Sequence, residues 1–354
     1  MTQTFEPTPL YLIIGATLFG LLLQLLAFSM LEHGFGAEAK MLSIFCRNLA
    51  ASLVVMMVYA FLCFDLMYPG DDWRLWWMGS GSSNSGDFGY SDYGLSMTAF
   101  SDILFQSWFA ANSAILVFAT LSQRLRLPFL LICAGLYALI TYSLFGRLHW
   151  GGGMLSNMGF RDFAGSVSIF VLGGAAAVGA GFAFRFKGGI QPISEPKTIW
   201  LLAGVTLLIA PNFFGAGLNT PIKTMFIIEV ASGLMAGVIC SLILKQNWIK
   251  GVSLGALSAI AATAATDHLP LAIAAGVGAI AGALAVIVSK MLEGRIIDPI
   301  SAISAFGVGG VIGSIIPSLF LSDYQIGVQT LGVGLAAIWA GAVWFVIGFV
   351  LPSR

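Results

Sequence analysis

Residues 148–170 read LHWGGGMLSNMGFRDFAGSVSIF, and this stretch connects two long apolar segments of the chain. A glycine triplet at 151–153 follows Trp150, and Asp162 precedes a second apolar run. A phosphate-binding loop needs glycines followed by Lys-Ser/Thr, or a helix start within a βαβ unit, and neither accompanies this triplet. The glycines instead permit a tight backbone turn beside the tryptophan. The stretch therefore indicates a connection at a membrane surface rather than a nucleotide site.

Composition supports that interpretation. Of the 354 residues, 58% are hydrophobic and 9% are charged, and the formal net charge is zero. Soluble domains carry roughly 25% charged residues, so the chain is predicted to be an integral membrane protein that binds no nucleic acid. The four cysteines lie singly in apolar runs, and no metal-ligand spacing, cofactor motif or nucleophile–base pair appears. We therefore expect no metal, no cofactor and no enzymatic activity.

Segments long enough to cross a bilayer recur along the whole chain. A membrane helix needs about 20 mostly apolar residues. Applying this length predicts a single all-α membrane domain, residues 1–354, with eleven transmembrane helices and the termini on opposite sides. The predicted spans are 10–31, 42–67, 98–121, 127–146, 163–186, 198–215, 221–244, 250–266, 269–289, 299–321 and 328–351.

Basic residues predict the orientation, because connections rich in Lys and Arg remain on the cytoplasmic side. With the N-terminus outside and the C-terminus cytoplasmic, only Arg74, Arg147, Arg161 and Lys223 of the 16 basic residues lie outside. The connection at about 68–97 then becomes an external loop. We expect no cytoplasmic output domain, and we expect the protein to reside in the cell (inner or plasma) membrane.

Three acidic residues within or beside predicted spans, Asp162, Asp298 and Glu229, are candidates for a capping or functional role. Asp162 occupies a position where its carboxylate can cap the following helix, or it serves a functional role. Asp298, followed by Pro299, is predicted to cap its helix with the proline at the first helical position. Glu229 lies in the middle of a span, and three alternatives stay open for it: a protonated, hydrogen-bonded group, a pore-lining group, or a subunit contact.

Five motifs together resemble the ammonium transporter (Amt/Mep/Rh) family. They are MLEHGF with KMLSIFCRNL (30–49), FQSWFAANSA (105–114), LSQRLRLP (121–128), HWGGGMLSNMGFRDFAG (149–165) and FGVGGVIGS (306–314). The resemblance implies eleven helices in inverted five-helix halves around one pore per subunit, and a homotrimer in the lipid bilayer. The sequence contains only a trace of this repeat: Asp162 lies eight residues before Phe170, and Ser301 lies eight before Gly309.

The resemblance also implies a vestibule that attracts ammonium through an aromatic face. Trp150 and Phe105 match the aromatic residues of that site, whereas Leu218 stands where the family has a serine. Asp102 either compensates for the lost hydroxyl by attracting cations or is a solvated residue at a helix end. Phe109 and Phe214 match the two phenylalanines that form a gate below this site.

The deeper pore of the family carries two facing histidines that relay a proton. The matching residues in this alignment are Phe170 and Gly309. The three histidines of the chain, His33, His149 and His268, all lie in or beside connections, so that relay is absent. An ammonium ion would lose its hydration in such a pore without finding an acceptor. We therefore expect no ion conduction, and a packed pore and a pore that admits neutral ammonia both stay open.

Two functions are consistent with these residues. The first is a channel or transporter related to ammonium and ammonia, with an altered and largely aromatic pore that passes ammonia or another small neutral solute. The alternative is a non-conducting ammonium sensor or structural subunit that acts through a protein partner in a membrane complex.

Overall fold

The computed structural model describes residues 10–68, 99–122, 124–186, 196–215, 220–296 and 298–351, with side chains omitted at several helix ends. Most of the predicted external loop lies outside these residues. Within the described residues, every regular element is a helix. In the same part of the chain, nine helical segments are long and apolar enough to cross a membrane, and two shorter apolar helices complete a set of eleven.

These eleven helices, named α1 to α11 in chain order, agree with the predicted spans to within a few residues at most ends. Their bounds are Leu10–Gly34, Met41–Met67, Ala99–Leu121, Leu127–Leu148, Ser166–Phe186, Thr198–Gly215, Thr220–Ile243, Trp248–Thr263, Leu271–Leu292, Ala302–Leu319 and Ile326–Val350. α5 combines a π-helical start, Ser166–Val171, with the α-helix Leu172–Phe186.

The outward faces of the helices carry large apolar side chains. Ile199, Ile243, Ile338 and Val350 are all more than 70% exposed in the isolated chain. In water such a surface would cost free energy, whereas lipid tails solvate it. The exposed apolar faces and the helix lengths together describe a multi-pass membrane protein.

α5 and α10 form the centre of the fold and cross at small residues. A side chain at Gly174 of α5 would collide with the backbone of Ala302 and Gly307, and one at Gly310 of α10 would collide with the carbonyl of Ser166. Both helices begin with a π-helical turn, and each follows a residue with positive φ, Gly165 or Ser301. Because successive spans alternate in direction, these two similar helices enter from opposite membrane faces. α5 and α10 are therefore equivalent helices of an inverted repeat, of which the sequence contained only a trace.

Candidate functional site: vestibule, cavity and aromatic stack

An aromatic cluster lies at the membrane face where α3 and α5 begin. The ring centroids of Phe105 and Phe109 are 4.5 Å apart, and those of Phe109 and Trp150 are 6.1 Å apart. All three side chains are partly exposed. The fold thus brings together three of the residues predicted for the vestibule and the gate. We call Phe105, Phe109 and Trp150 the vestibule.

The loop that carries Trp150 is held by hydrogen bonds to the start of α5. Trp150 Nε1 donates to the backbone oxygen of Asp162 at 3.1 Å, and His149 Nε2 lies 3.5 Å from the same oxygen. Burial lowers the pKa of His149 from its ordinary value of 6.5, with Asp162 acting in the opposite direction. The imidazole is therefore neutral at neutral pH. Among the described residues, its buried Nδ1 has no hydrogen-bond partner.

Asp162 and Asp298 make the same contacts in the two halves. Asp162 accepts from the amides of Val167 and Ser168, five and six residues later, the closer at 2.7 Å. Asp298 accepts from the amides five and six residues after it at 3.1 and 2.9 Å. Each carboxylate thus caps a π-helical turn. Burial raises the pKa of both groups, and the accepted hydrogen bonds oppose that shift.

The predicted position of Pro299 is wrong by about one turn. It was expected as the first helical residue, but the helical backbone begins at Ala302. The carboxylate of Asp298 therefore spans an intervening turn instead of capping the residues directly beside it. The positive φ of Ser301 turns the chain into the helix at this point.

The prediction that Gly309 faces Phe170 is also wrong. Phe170 stacks on Phe306, with ring centroids 5.6 Å apart and an interplanar angle of 10°. Phe170 and Phe306 each lie eight residues after a capping aspartate, so they are equivalent positions of the repeat. Gly309 instead packs against the backbone of Ser258 on α8. The glycine opens no space in the pore, because another helix fills that side.

The stack extends toward the opposite membrane face. Phe28 of α1 approaches Phe306 with a centroid distance of 5.6 Å. Phe306 is fully buried and Phe170 nearly so. Phe28, Phe170 and Phe306 therefore form a closed aromatic column, named here the aromatic stack.

A cavity of about 60 Å³ lies between the vestibule and the aromatic stack. This volume has room for a few water-sized molecules. Aromatic rings including Trp108, Phe109 and Phe170 line it, together with polar side chains that were not predicted as site residues. The polar lining residues are Gln24, Asn112, Asn212 and Thr263.

The two acidic residues of the spans that were site candidates, Asp102 and Glu229, are both buried. Asp102 is only 8% exposed, so the solvated alternative for this residue is wrong. Glu229 is 1% exposed, and neither of its oxygens has a hydrogen-bond partner among the described residues. Within that part of the chain, the hydrogen-bonded alternative for Glu229 is therefore wrong as well.

Two of the predicted site residues cannot be placed. Leu218 lies outside the described residues. Phe214 belongs to the last turn of α6, but its side chain is not described. The proposed serine replacement and one half of the gate therefore stay predictions.

The family model for the Ammonium Transporter Family matches residues 12–353. The chain belongs to the ammonium transporter family. This family consists of transport proteins rather than enzymes, as the sequence predicted.

Two putative ammonium transporters of Synechocystis sp. are relatives of this family member. One is 29% identical, over 90% of this chain and 64% of its own length. The other is 28% identical, over 98% of this chain and 84% of its own length. The chain also resembles the ammonium transporter Amt1 of Archaeoglobus fulgidus, at 28% identity over 66% of this chain and 64% of that protein. It thus spans less than two thirds of two of these relatives.

Solved structures share the fold of this family member. A structure entitled Sensor Amt Protein matches with a TM-score of 0.83 and 24% identity, covering 95% of this chain and 91% of the other. Saccharomyces cerevisiae Mep2 matches with a TM-score of 0.79 and 18% identity, covering 96% of this chain and 84% of Mep2. These likenesses extend over nearly the whole chain, so the eleven-helix architecture is that of the Amt and Mep proteins.

Proposed function

We propose that this protein binds ammonium at its vestibule and does not conduct the ammonium ion through its pore. The observation that carries the proposal is the aromatic stack, in which Phe170 and Phe306 face each other at 5.6 Å below the cavity. Rings in such close contact offer no acceptor for an ion that must shed its hydration. A neutral ammonia molecule carries a much smaller penalty, so it passes when the rings rotate apart.

The vestibule supports ammonium as the solute that is attracted. Indole and phenyl faces attract cations, and a desolvated contact contributes about 2 kcal/mol. Trp150 is fixed by its hydrogen bond to the Asp162 carbonyl, so little side-chain entropy is lost when a cation binds. We place this vestibule on the outer face of the cell membrane, with the N-terminus outside, and we propose a homotrimer of such subunits.

A second function is favoured by the packing of the same stack. Phe306 is completely buried, and Phe28 closes the column from the other side. A permanently closed column would make the protein an ammonium sensor or a structural subunit whose occupied state is recognised by a protein partner. Flux measurements distinguish this function from ammonia permeation.

The test uses the purified protein in liposomes, with current and internal pH recorded after an ammonium pulse. We expect alkalinisation above that of empty liposomes and no current. The double variant Phe170→His/Phe306→His places polar acceptors in the stack, and its matched control is Phe170→Leu/Phe306→Leu, which removes both rings without adding an acceptor.

Current in the wild type would refute the proposal. A wild type without alkalinisation, together with current in the Phe170→His/Phe306→His variant alone, would favour the sensor or subunit function instead. A histidine at Gly309 would not serve as a control, because Gly309 packs against α8 and the variant is expected to be unstable.

A further inference from the structure

Gln329 is a fully buried polar residue in the first turn of α11. Its side chain is 0% exposed, in a helix made mostly of apolar residues. In the orientation that satisfies every neighbouring group, its amide nitrogen donates to the backbone oxygen of Arg161 and to the hydroxyl of Ser314. Its amide oxygen accepts from the backbone N–H of Arg161, and all three distances are 3.0 Å. Three such contacts fix the plane of the amide, so Gln329 is a rigid anchor.

The contacts from Gln329 hold the backbone of Arg161 rather than its side chain. The N–H and the carbonyl of Arg161 belong to two successive peptide groups, so one side-chain amide fixes both of them. The guanidinium group instead contacts Asp323, where Nε donates to the backbone oxygen at 3.1 Å and lies 3.6 Å from a carboxylate oxygen. These two side chains are 56% and 37% exposed, so their ion pair contributes little to the position of the loop.

α11 also packs against the residue before Arg161. Gly332 lies three residues after Gln329 and therefore on the same helix face. A side chain at Gly332 would collide with the ring of Phe160. Phe160 is 3% exposed, and its ring meets that of His149 edge-on, with centroids 4.8 Å apart. This part of the loop is therefore held directly against the first two turns of α11.

The residue after Arg161 connects this anchor to the vestibule. The backbone oxygen of Asp162 accepts from Trp150 Nε1 at 3.1 Å, and the Asp162 carboxylate accepts from amides in the first turn of α5. The N–H of Asp162 lies in the same peptide plane as the Arg161 carbonyl that Gln329 holds. A rotation of this peptide group would therefore move the Asp162 carbonyl, and the indole with it.

We propose that Gln329 is a positioning residue for the vestibule: it holds the Arg161 backbone, and through it the Asp162 carbonyl that fixes Trp150. This inference rests on the proposed function, because it takes the vestibule as the place where ammonium binds. A helix of the second half of the chain thus sets the geometry of an aromatic site built from the first half. A cation then meets a ring that is already in place, so less side-chain entropy is lost on binding.

The experiment makes two measurements on the purified protein. Binding of radiolabelled methylammonium is measured by scintillation proximity, and the position of Trp150 is followed by fluorine NMR on protein that contains fluorotryptophan. The Trp150 resonance is identified by its loss in Trp150→Phe. In Gln329→Leu both backbone groups of Arg161 lose their partner, so we expect a shifted or broadened Trp150 resonance and binding that is about two- to tenfold weaker.

Two variants serve as matched controls. Ser314→Ala removes a neighbour of the same amide without touching the Arg161 backbone. Arg161→Ala removes the contact with Asp323 and keeps both backbone bonds to Gln329. Both controls should keep the wild-type resonance of Trp150 and the wild-type affinity.

A double variant separates positioning from a general structural effect. Trp150→Phe keeps an aromatic face but cannot donate to the Asp162 carbonyl, so adding Gln329→Leu to it should cause no further loss of affinity. Independent losses in the two single variants, which multiply in the double variant, would mean that Gln329 does not act through Trp150.

A second substitution covers the case in which Gln329→Leu does not fold. In Gln329→Glu, an ionised carboxylate still accepts from the Arg161 N–H but repels the Arg161 carbonyl. Protonation of the carboxylate restores a donor to that carbonyl. The Trp150 resonance of this variant should therefore return toward that of the wild type as the pH is lowered.

The outcomes separate this inference from the proposed function. An unchanged Trp150 resonance in Gln329→Leu, or an equal change in Ser314→Ala and Arg161→Ala, would overturn the positioning role whether or not the protein binds methylammonium. A wild type that binds no methylammonium would overturn the proposed function, and the NMR comparison would still test whether Gln329 fixes Trp150.

Discussion

Removal of the Asp162 carboxylate should destabilise the protein and loosen its vestibule. In Asp162→Ala, the buried amides of Val167 and Ser168 lose their acceptor. An unsatisfied buried donor costs about 1–3 kcal/mol, so the expected loss of unfolding free energy is about 2–6 kcal/mol. Removal of an ordinary helix cap costs about 0.5–2 kcal/mol of unfolding free energy. The expected loss is larger here because Ser166, Val167 and Ser168 are buried away from water.

The equivalent variant in the other half is the natural comparison. Asp298→Ala removes the acceptor of the Ile303 and Ser304 amides and of the Ser304 hydroxyl, so a similar loss of stability is expected. Of the two aspartates, only Asp162 also accepts a hydrogen bond from Trp150, through its own backbone carbonyl. Asp162 is therefore also a positioning residue for the vestibule, whereas Asp298 lies at the opposite membrane face.

The assay combines thermal unfolding in detergent with methylammonium binding. Both alanine variants should unfold at a lower temperature, and Asp162→Asn, which keeps one acceptor oxygen, should fall between Asp162→Ala and the wild type. Among variants measured well below their unfolding temperatures, only the changes at Asp162 should weaken binding. Wild-type stability in Asp162→Ala would refute the capping argument, and equal binding losses in Asp162→Ala and Asp298→Ala would refute the positioning role.

Two further predictions concern single contacts. Burial lowers the pKa of His149 in the folded protein, so the stability it contributes is complete above its ordinary pKa of 6.5 and is lost as the pH falls through the lower folded value. The unfolding free energy of the wild type should therefore fall as the pH drops below about 6.5, by at most about 1.4 kcal/mol per pH unit relative to His149→Gln, and parallel pH profiles would contradict this. Gly310→Ala should cost about 1–3 kcal/mol in unfolding free energy, because its methyl group would collide with the Ser166 carbonyl. Gly341→Ala, where the same methyl group meets Ala175 at ordinary contact distance, should leave the unfolding temperature unchanged, and equal shifts in the two variants would contradict the packing argument.

Much of the vestibule was predictable from local sequence. Phe105 and Phe109 are four residues apart, which places them on one helix face, and Trp150 is the second residue after the end of α4. Asp162 was recognisable because a short acidic residue before an apolar run is a typical cap. The polar cavity residues, by contrast, come from helices α1, α3, α6 and α8, and no spacing along the chain connects them.

The sequence by itself determined the membrane fold. Backbone N–H and C=O groups in lipid must form their hydrogen bonds within helices, so each long apolar run specifies a membrane-spanning helix. Only the tertiary structure decided which side chains meet inside. Phe306 and Gly309 lie in one apolar run, and their roles depend on the π-helical turn and the positive φ of Ser301, which set the rotation of α10. The crossing of α5 and α10 then brings Phe306 against Phe170 and turns Gly309 toward α8. That rotation arises from packing between the two halves, and the sequence contains only the shared spacing of eight residues from each capping aspartate to its phenylalanine.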